Sequence, residues 1–317
     1  MRRLVPIDLG GSPSQCAVAP PRRAYPSPDT VRAMIELYRE RYPDADMEVA
    51  FFHGGIPSTD LLNATGDLPV RLSCHPLDLD RKTAAQLAKS GCNTIELESM
   101  SLDPHVLRTC RREYTTTRIR NMTKRLRADG FKVGLHLVPG LPGSDVESAL
   151  ADAHALSAPD GPWVDFVRIW PALAFEGAML DAWAKSGKWR PQDTQAMVEI
   201  LIQIVDICAE EGIDVARIGI QPGHDIPVKA TAGPVHPNIR GEVETRRFGS
   251  RLTKLLQGTP AGANIVVAVH PKDLTWAKGT SNVNARVART RYRLASLQFA
   301  TDENVSRGQL RIANTSG

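Results

Sequence analysis

Short runs of apolar, β-branched residues alternate with amphipathic stretches along the first two-thirds of the chain, the pattern of repeated strand–helix units around a parallel sheet. The runs predict strands over 3–7, 48–53, 69–74, 94–99, 132–139, 164–170 and 215–221. Between them Pro28-Asp29-Thr30 opens a helix over 31–41, Asp80 caps one over 81–90, and Ser144 precedes a stretch with Asp145 and Glu147 in its first turn. Six or seven such units predict an α/β fold, a partial (β/α) barrel, with its site at the carboxyl ends of the strands and in the loops that follow. The alternation weakens after about residue 222, which predicts a barrel over 1–222 and a small α+β lobe over 223–317. In that lobe the pattern gives a helix over 242–256, a glycine-proline linker, a strand over 265–270, a helix over 281–292 and two further strands near 294–300 and 309–313.

Composition sets the outer bounds. A chain of 317 residues with 42% apolar content can build one large core and a small lobe. Met1-Arg2-Arg3 opens like a signal peptide, but Pro6, Asp8 and Gly10-Gly11 follow where an apolar stretch is required, and no run reaches membrane-spanning length. The five cysteines, Cys16, Cys74, Cys92, Cys110 and Cys208, show no paired spacing, so disulfides are not expected and a reducing, cytoplasmic setting is. The net charge of +4 divides unevenly: residues 245–293 hold ten Lys and Arg against Asp273 alone, +9, which leaves 4 − 9 = −5 for the remainder. Such a segment suits RNA, a phosphate-bearing ligand or an acidic partner, or else a solvated face that keeps the lobe soluble.

Several ordered motifs carry a family resemblance. They are Ser101-Leu102-Asp103-Pro104, then Phe131 to Gly143 (FKVGLHLVPGLPG), Val167-Arg168-Ile169-Trp170-Pro171 and Gly187-Lys188-Trp189-Arg190-Pro191. Arg217 to Pro222, Ala232 to Pro237 and Val269 to Leu274 continue the series. Together they resemble radical S-adenosylmethionine (SAM) proteins related to the elongator catalytic subunit, in a bacterial branch with a small C-terminal domain and without the acetyltransferase domain. The resemblance implies a radical SAM partial barrel. It also implies SAM as cofactor or substrate, held by Gly54, Gly55, Ser73, Glu96, Arg112, His136 and Arg168. In the family the glycine pair contacts the amino group of SAM, and the acid matched by Glu96 lies near the ribose or the methionyl ammonium. A double glycine also serves in ordinary turns, and Glu96 could equally pair with Arg71 or Arg168.

The chain departs from the family where the cofactor is held. A Cys-x-x-x-Cys-x-x-Cys triad that ligates a [4Fe-4S] cluster is matched here by Ser12, Cys16 and Ala19, and one thiolate cannot hold the cluster. Ala19-Pro20-Pro21 also stiffens that loop. The cluster is therefore expected to be absent. The third strand ends in Ser73-Cys74-His75-Pro76-Leu77 in place of Ser-Thr-Arg-Pro-Asp, and the fourth reads Glu96-Leu97-Glu98-Ser99-Met100-Ser101 in place of Glu-x-Gly-x-Gln-Ser.

Glu96 and Glu98 stand two apart on one strand and face one side, so they are the candidate catalytic carboxylates: a close pair resists joint ionisation and can transfer a proton or attract a sulfonium. The plainer alternative pairs one of them with Arg111 or Arg112. His53, Cys74, His75 and His136 all fall at strand ends and could ligate zinc or iron, yet no two show a metal spacing and no metal site is expected. Trp170, Trp183 and Trp189 could stack on a base, with packing the default.

Three functions follow as expectations. The first is a SAM-binding transferase or lyase without a cluster, acting on a small-molecule substrate by polar group transfer, elimination or cyclisation. The second is a non-catalytic or RNA-binding partner, and the third a radical enzyme with an atypical cluster.

Overall fold

In the computed structural model, residues 2–11, 23–157, 159–220 and 229–316 are described. Seven parallel strands form one sheet in chain order: β1 (Arg3–Asp8), β2 (Met47–Gly54), β3 (Val70–Cys74), β4 (Cys92–Met100), β5 (Lys132–Leu137), β6 (Phe166–Ile169) and, after an excursion, β8 (Asp214–Ile218). The excursion is β7 (Ala174–Phe175), which pairs antiparallel with β9 (Ala230–Ala232). All seven strands read from the sequence are present, and with the intervening helices they build a curled partial barrel.

The two faces of this sheet differ in chemistry. Val49, Phe51, Val70, Leu72, Ile95, Leu97, Val133, Leu135, Val167 and Ile169 are all fully buried and share one parity, the face that the helices cover. Strands buried on both faces usually read as continuous apolar runs. Here the other parity carries Glu48, Arg71, Ser73, Glu96, Glu98, His136 and Arg168, so the inside of the curl is polar.

The helix starts follow their caps. Ser27 caps Pro28–Arg41, Asp80 caps Arg81–Lys89, and Asp145 with Ser148 forms a capping box on Val146–Ala155. None of the helices of the described residues is long and apolar enough to cross a membrane.

Two compact units divide at His236/Pro237, later than the boundary at 222/223 that the weakening alternation suggests. The reason is β9. It pairs with β7, Lys229 accepts a hydrogen bond from the Glu176 amide at 2.9 Å, and Thr231 donates to Asp181 at 2.7 Å, so residues 229–232 belong with the barrel.

The second unit is a three-stranded sheet in the order β11 (Ser296–Thr301), β10 (Asn264–Val269), β12 (Leu310–Ser316). Helices Ile239–Leu255 and Val283–Tyr292 supply Leu252 and Ala288 to a core with Ile265, Val267 and Leu297. A helix over Leu274–Lys278 is an addition to the sequence reading.

One buried carboxylate supports the loop after β4. Asp152, in the helix Val146–Ala155, accepts hydrogen bonds from the Ser101 hydroxyl at 2.7 Å and the Leu102 amide at 2.9 Å. Burial pushes its pKa up to about 6, against the pull of those two donors. A folded-state pKa raised above the unfolded value stabilises at low pH, and that contribution is lost as the pH rises through about 6. Asp152→Asn keeps an acceptor for Leu102 and a donor for Ser101. Its thermal midpoint is expected to exceed that of the parent at pH 8, with the advantage shrinking as the pH falls through about 6, each pKa unit being worth about 1.4 kcal/mol. A pH-independent difference in calorimetric scans contradicts this.

Candidate functional site

Adjacent strands in register bring the inner-face residues together: Ser73 lies opposite Glu96, Glu96 opposite Gly134, and His136 opposite Arg168. Glu96 is completely buried and is the centre of an ionic network. One of its oxygens accepts from Arg71 at 2.7 Å; the other accepts from Arg168 at 2.7 Å and from His136 Nε2 at 2.9 Å. Arg71 extends the network to Glu48 at 3.1 Å, giving an alternating chain of two acids and two guanidinium groups. Burial alone would raise the Glu96 pKa, but Arg168, the His136 hydrogen bond and Arg71 outweigh it and hold the carboxyl well below the usual range.

This arrangement corrects the expectation for Glu96. Both oxygens are committed to the protein, so Glu96 offers neither a transferable proton nor a free acceptor for a ribose or ammonium group. The pairings with Arg71 and Arg168, left open in the sequence, both exist. His136 is neutral, because burial lowers its pKa by more than Glu96 raises it. With Nε2–H donated to the ionised Glu96, Nδ1 is the acceptor of the ring.

Glu98 is the second carboxylate on this face and is 8% exposed. One oxygen accepts from the Ser73 hydroxyl at 3.3 Å, and Ser73 also lies 3.4 Å from His136 Nε2. Among the described residues no ion pair forms between Glu98 and Arg111 or Arg112. Arg112 is buried beside Tyr114, whose hydroxyl donates to the Glu98 and Ser99 carbonyls.

The carboxyl ends of the strands hold a feature missed in the sequence. Arg168 lies between the rings of Phe52 and Trp170, 4.8 and 5.0 Å from their centroids. Trp170 also contacts His136 at 4.8 Å and His53 at 5.7 Å between centroids. The Trp170 Nε1 and both His53 ring nitrogens are buried and have no hydrogen-bond partner among the described residues. His53 Nδ1 lies 3.8 Å from Asp8, beyond hydrogen-bond reach. His53 adopts a left-handed backbone, φ 55°, where the β2–β3 register shifts. Such bulges re-aim side chains at the rims of barrels. The signal for Trp170 was its parity: it stands two residues after Arg168 and shares its face.

Other expected site residues have structural explanations. A Cβ on Gly54 would lie 2.2 Å from Leu9 Cβ, so packing against Leu9 by itself requires glycine there. Gly55 is half-buried beside it. Trp189 donates to the Gly140 carbonyl at 3.0 Å and pins the Pro139–Gly143 loop, while Trp183 stacks under Lys188.

The strand-end residues weighed as metal ligands have other surroundings. His75 Nδ1 accepts from the Leu77 amide at 3.2 Å and burial, with the Arg112 charge, lowers its pKa to about 3. Cys74 lies on the apolar face with its thiol pushed well up by burial. Among the described residues no group of three His, Cys, Asp or Glu can hold a metal ion, and Cys74, Cys92, Cys110 and Cys208 are each buried. Ser12, Cys16 and Ala19 lie outside the described residues. The residues that bracket them are tied together, since Asp8 accepts from the Gly10 amide at 2.8 Å and pairs with Arg23 at 2.6 Å.

Comparison with known proteins places this geometry in context. A model described as the Radical SAM superfamily matches residues 16–155, and one described as the Radical_SAM C-terminal domain matches residues 164–247. The tRNA uridine(34) acetyltransferase of Methanocaldococcus infernus is 29% identical over 130 residues, 41% of this chain and 24% of that protein. The enzyme of the same name from Methanocaldococcus jannaschii is 31% identical over 120 residues, 38% and 22%. The matched segment thus spans about a quarter of these relatives. Among solved structures, the archaeal Methanocaldococcus infernus Elp3 with an N-terminal deletion superposes with a TM-score of 0.61 at 21% identity, covering 77% of this chain and 62% of that one. That likeness establishes the fold.

The ionic network sets two expectations. Replacing Glu96 with alanine leaves the buried Arg168 without its carboxylate and Arg71 with Glu48 alone, and is expected to cost about 3–5 kcal/mol in urea unfolding. Because the Glu96 pKa is depressed on folding, its contribution is complete above the unfolded value of about 4.5 and is lost as the pH falls below it. An acid-unfolding slope that Glu96→Gln leaves unchanged contradicts the assignment.

Proposed function

We propose, from the premise that the chain belongs to the radical SAM superfamily and resembles its elongator-like branch, that it binds SAM or a related nucleoside at the barrel mouth and uses it in polar chemistry without a [4Fe-4S] cluster. The observation that carries this reading is Trp170, whose buried indole nitrogen has no hydrogen-bond partner among the described residues and whose ring packs against His53 and Arg168 at the carboxyl ends of the strands. A buried donor without a partner costs about 1–3 kcal/mol. A ligand oxygen that accepts from Trp170 Nε1–H removes that cost.

When bound, SAM supplies an activated sulfonium, an electrophile for group transfer, elimination or cyclisation that needs no electron donor. The residues of this chain bind and orient. Glu96 keeps Arg168 in place, Arg168 packs on the Trp170 ring, and Trp170 Nε1–H is the donor left for a ligand. Glu98, with one oxygen on Ser73, is the carboxylate left to face a cationic group. The reading without a cluster rests on the donor set: Ser12 and Ala19 bear no thiol, and the four cysteines of the described residues are buried.

An alternative, a non-catalytic RNA-binding partner, draws on the basic stretch 245–293 and on the tRNA activity for which the relatives are named.

Titration calorimetry with SAM tests the proposal. Saturable binding is expected, weakened by about 1.5–3 kcal/mol, roughly tenfold or more, in Trp170→Phe. Absence of SAM binding in the parent protein overturns it, and salt-dependent RNA binding in the same samples then supports the alternative.

A further inference from the structure

Part of the excess of positive charge in the C-terminal unit gathers in one place, while Lys254, Lys272, Arg291 and Arg293 are exposed elsewhere. Of the ten cations in 245–293, Arg246 pairs with Glu242 at 2.6 Å, Arg247 pairs with Glu244 at 2.7 Å, and Arg251 donates to the Gly308 carbonyl. Among the described residues no carboxylate pairs with Lys278, Arg286 or Arg289, and all three line one open groove of about 800 Å³. No acidic residue lines it. Its other wall and floor come from Leu297, Gln298 and Phe299, consecutive residues of β11. Consecutive strand residues point to opposite faces, so a groove that meets all three runs along the strand's edge.

That edge is open. In the sheet order β11-β10-β12, β11 bonds to β10 alone, and Gln298, Ala300 and Thr301 are exposed. An unpaired edge presents a row of backbone N–H and C=O groups, a template for another extended chain. Single-stranded nucleic acid needs exposed aromatic faces on which bases stack. The one aromatic side chain here, Phe299, is half-buried against the cores of its own unit.

We infer that this groove binds an extended, acidic peptide segment of a protein partner. The segment adds as a strand to β11, with its carboxylates against Lys278, Arg286 and Arg289 and its alternate apolar side chains over Leu294 and Leu297. A strand of six residues such as β11 matches a peptide of similar length.

Fluorescence anisotropy on the full chain tests this with labelled octapeptides of alternating valine and glutamate. Saturable binding is expected, with the valine-lysine counterpart inert. The exposed double substitution Arg286→Glu and Arg289→Glu is expected to weaken binding by about tenfold or more while leaving the thermal midpoint unchanged. Peptides N-methylated on the residues of one parity should fail to bind, whereas methylation of the other parity should be tolerated, because only one edge of the added strand meets β11. Equal binding of the two methylated forms overturns strand addition. Failure of the acidic peptide together with binding of a single-stranded RNA oligonucleotide that the same double substitution abolishes overturns the peptide assignment in favour of RNA.

Discussion

The interior of the barrel depends on the burial of one carboxylate. Glu96 is inaccessible to water, and an isolated charge there would be prohibitively costly. It is tolerated because Arg71 from β3, His136 from β5 and Arg168 from β6 converge on it at hydrogen-bond distance. Four neighbouring strands are thereby joined through their side chains as well as their backbones. The parity of the whole sheet follows: residues that serve the network face inward, and the fully buried aliphatic residues face the helices.

The same network positions the mouth of the barrel without taking part in it. Arg168 is neutralised by Glu96 and flanked by Phe52 and Trp170, and the indole nitrogen of Trp170 has no hydrogen-bond partner among the described residues. On the proposed reading, structural and ligand-binding roles are divided between Arg168 on β6 and Trp170 just beyond its end, residues of one parity. Glu96 and Glu98 divide in the same way on β4: the first is saturated by protein donors, while the second retains an oxygen beyond its contact with Ser73.

Much of this was legible in the sequence, and the failures have physical causes. The seven strands stood out because their helix-facing positions are aliphatic almost without exception. The cap at Asp80 announced one helix, and Ser144 with the acids that follow it another, although Asp145 and not Ser144 is the residue that caps it. The role of Glu96 was ambiguous because a strand position shows which face an acid occupies and not how many cations reach it. Gly54 looked like a ligand cradle, since a glycine requirement does not reveal whether a ligand or Leu9 makes the close approach. The bulge that turns His53 has no sequence signature. The charge of the C-terminal unit was overcounted for a simpler reason: a window that starts at Thr245 omits Glu242 and Glu244, the partners one helical turn earlier of Arg246 and Arg247.

On the proposed reading, this chain keeps the radical SAM barrel without the three-thiolate cluster. Anaerobic reconstitution with iron and sulfide, followed by metal analysis and paramagnetic resonance, tests it most directly. Iron and sulfide far below one cluster per chain, with no cluster signal after reduction, is the predicted result. A stoichiometric [4Fe-4S] cluster that becomes paramagnetic on reduction would contradict it.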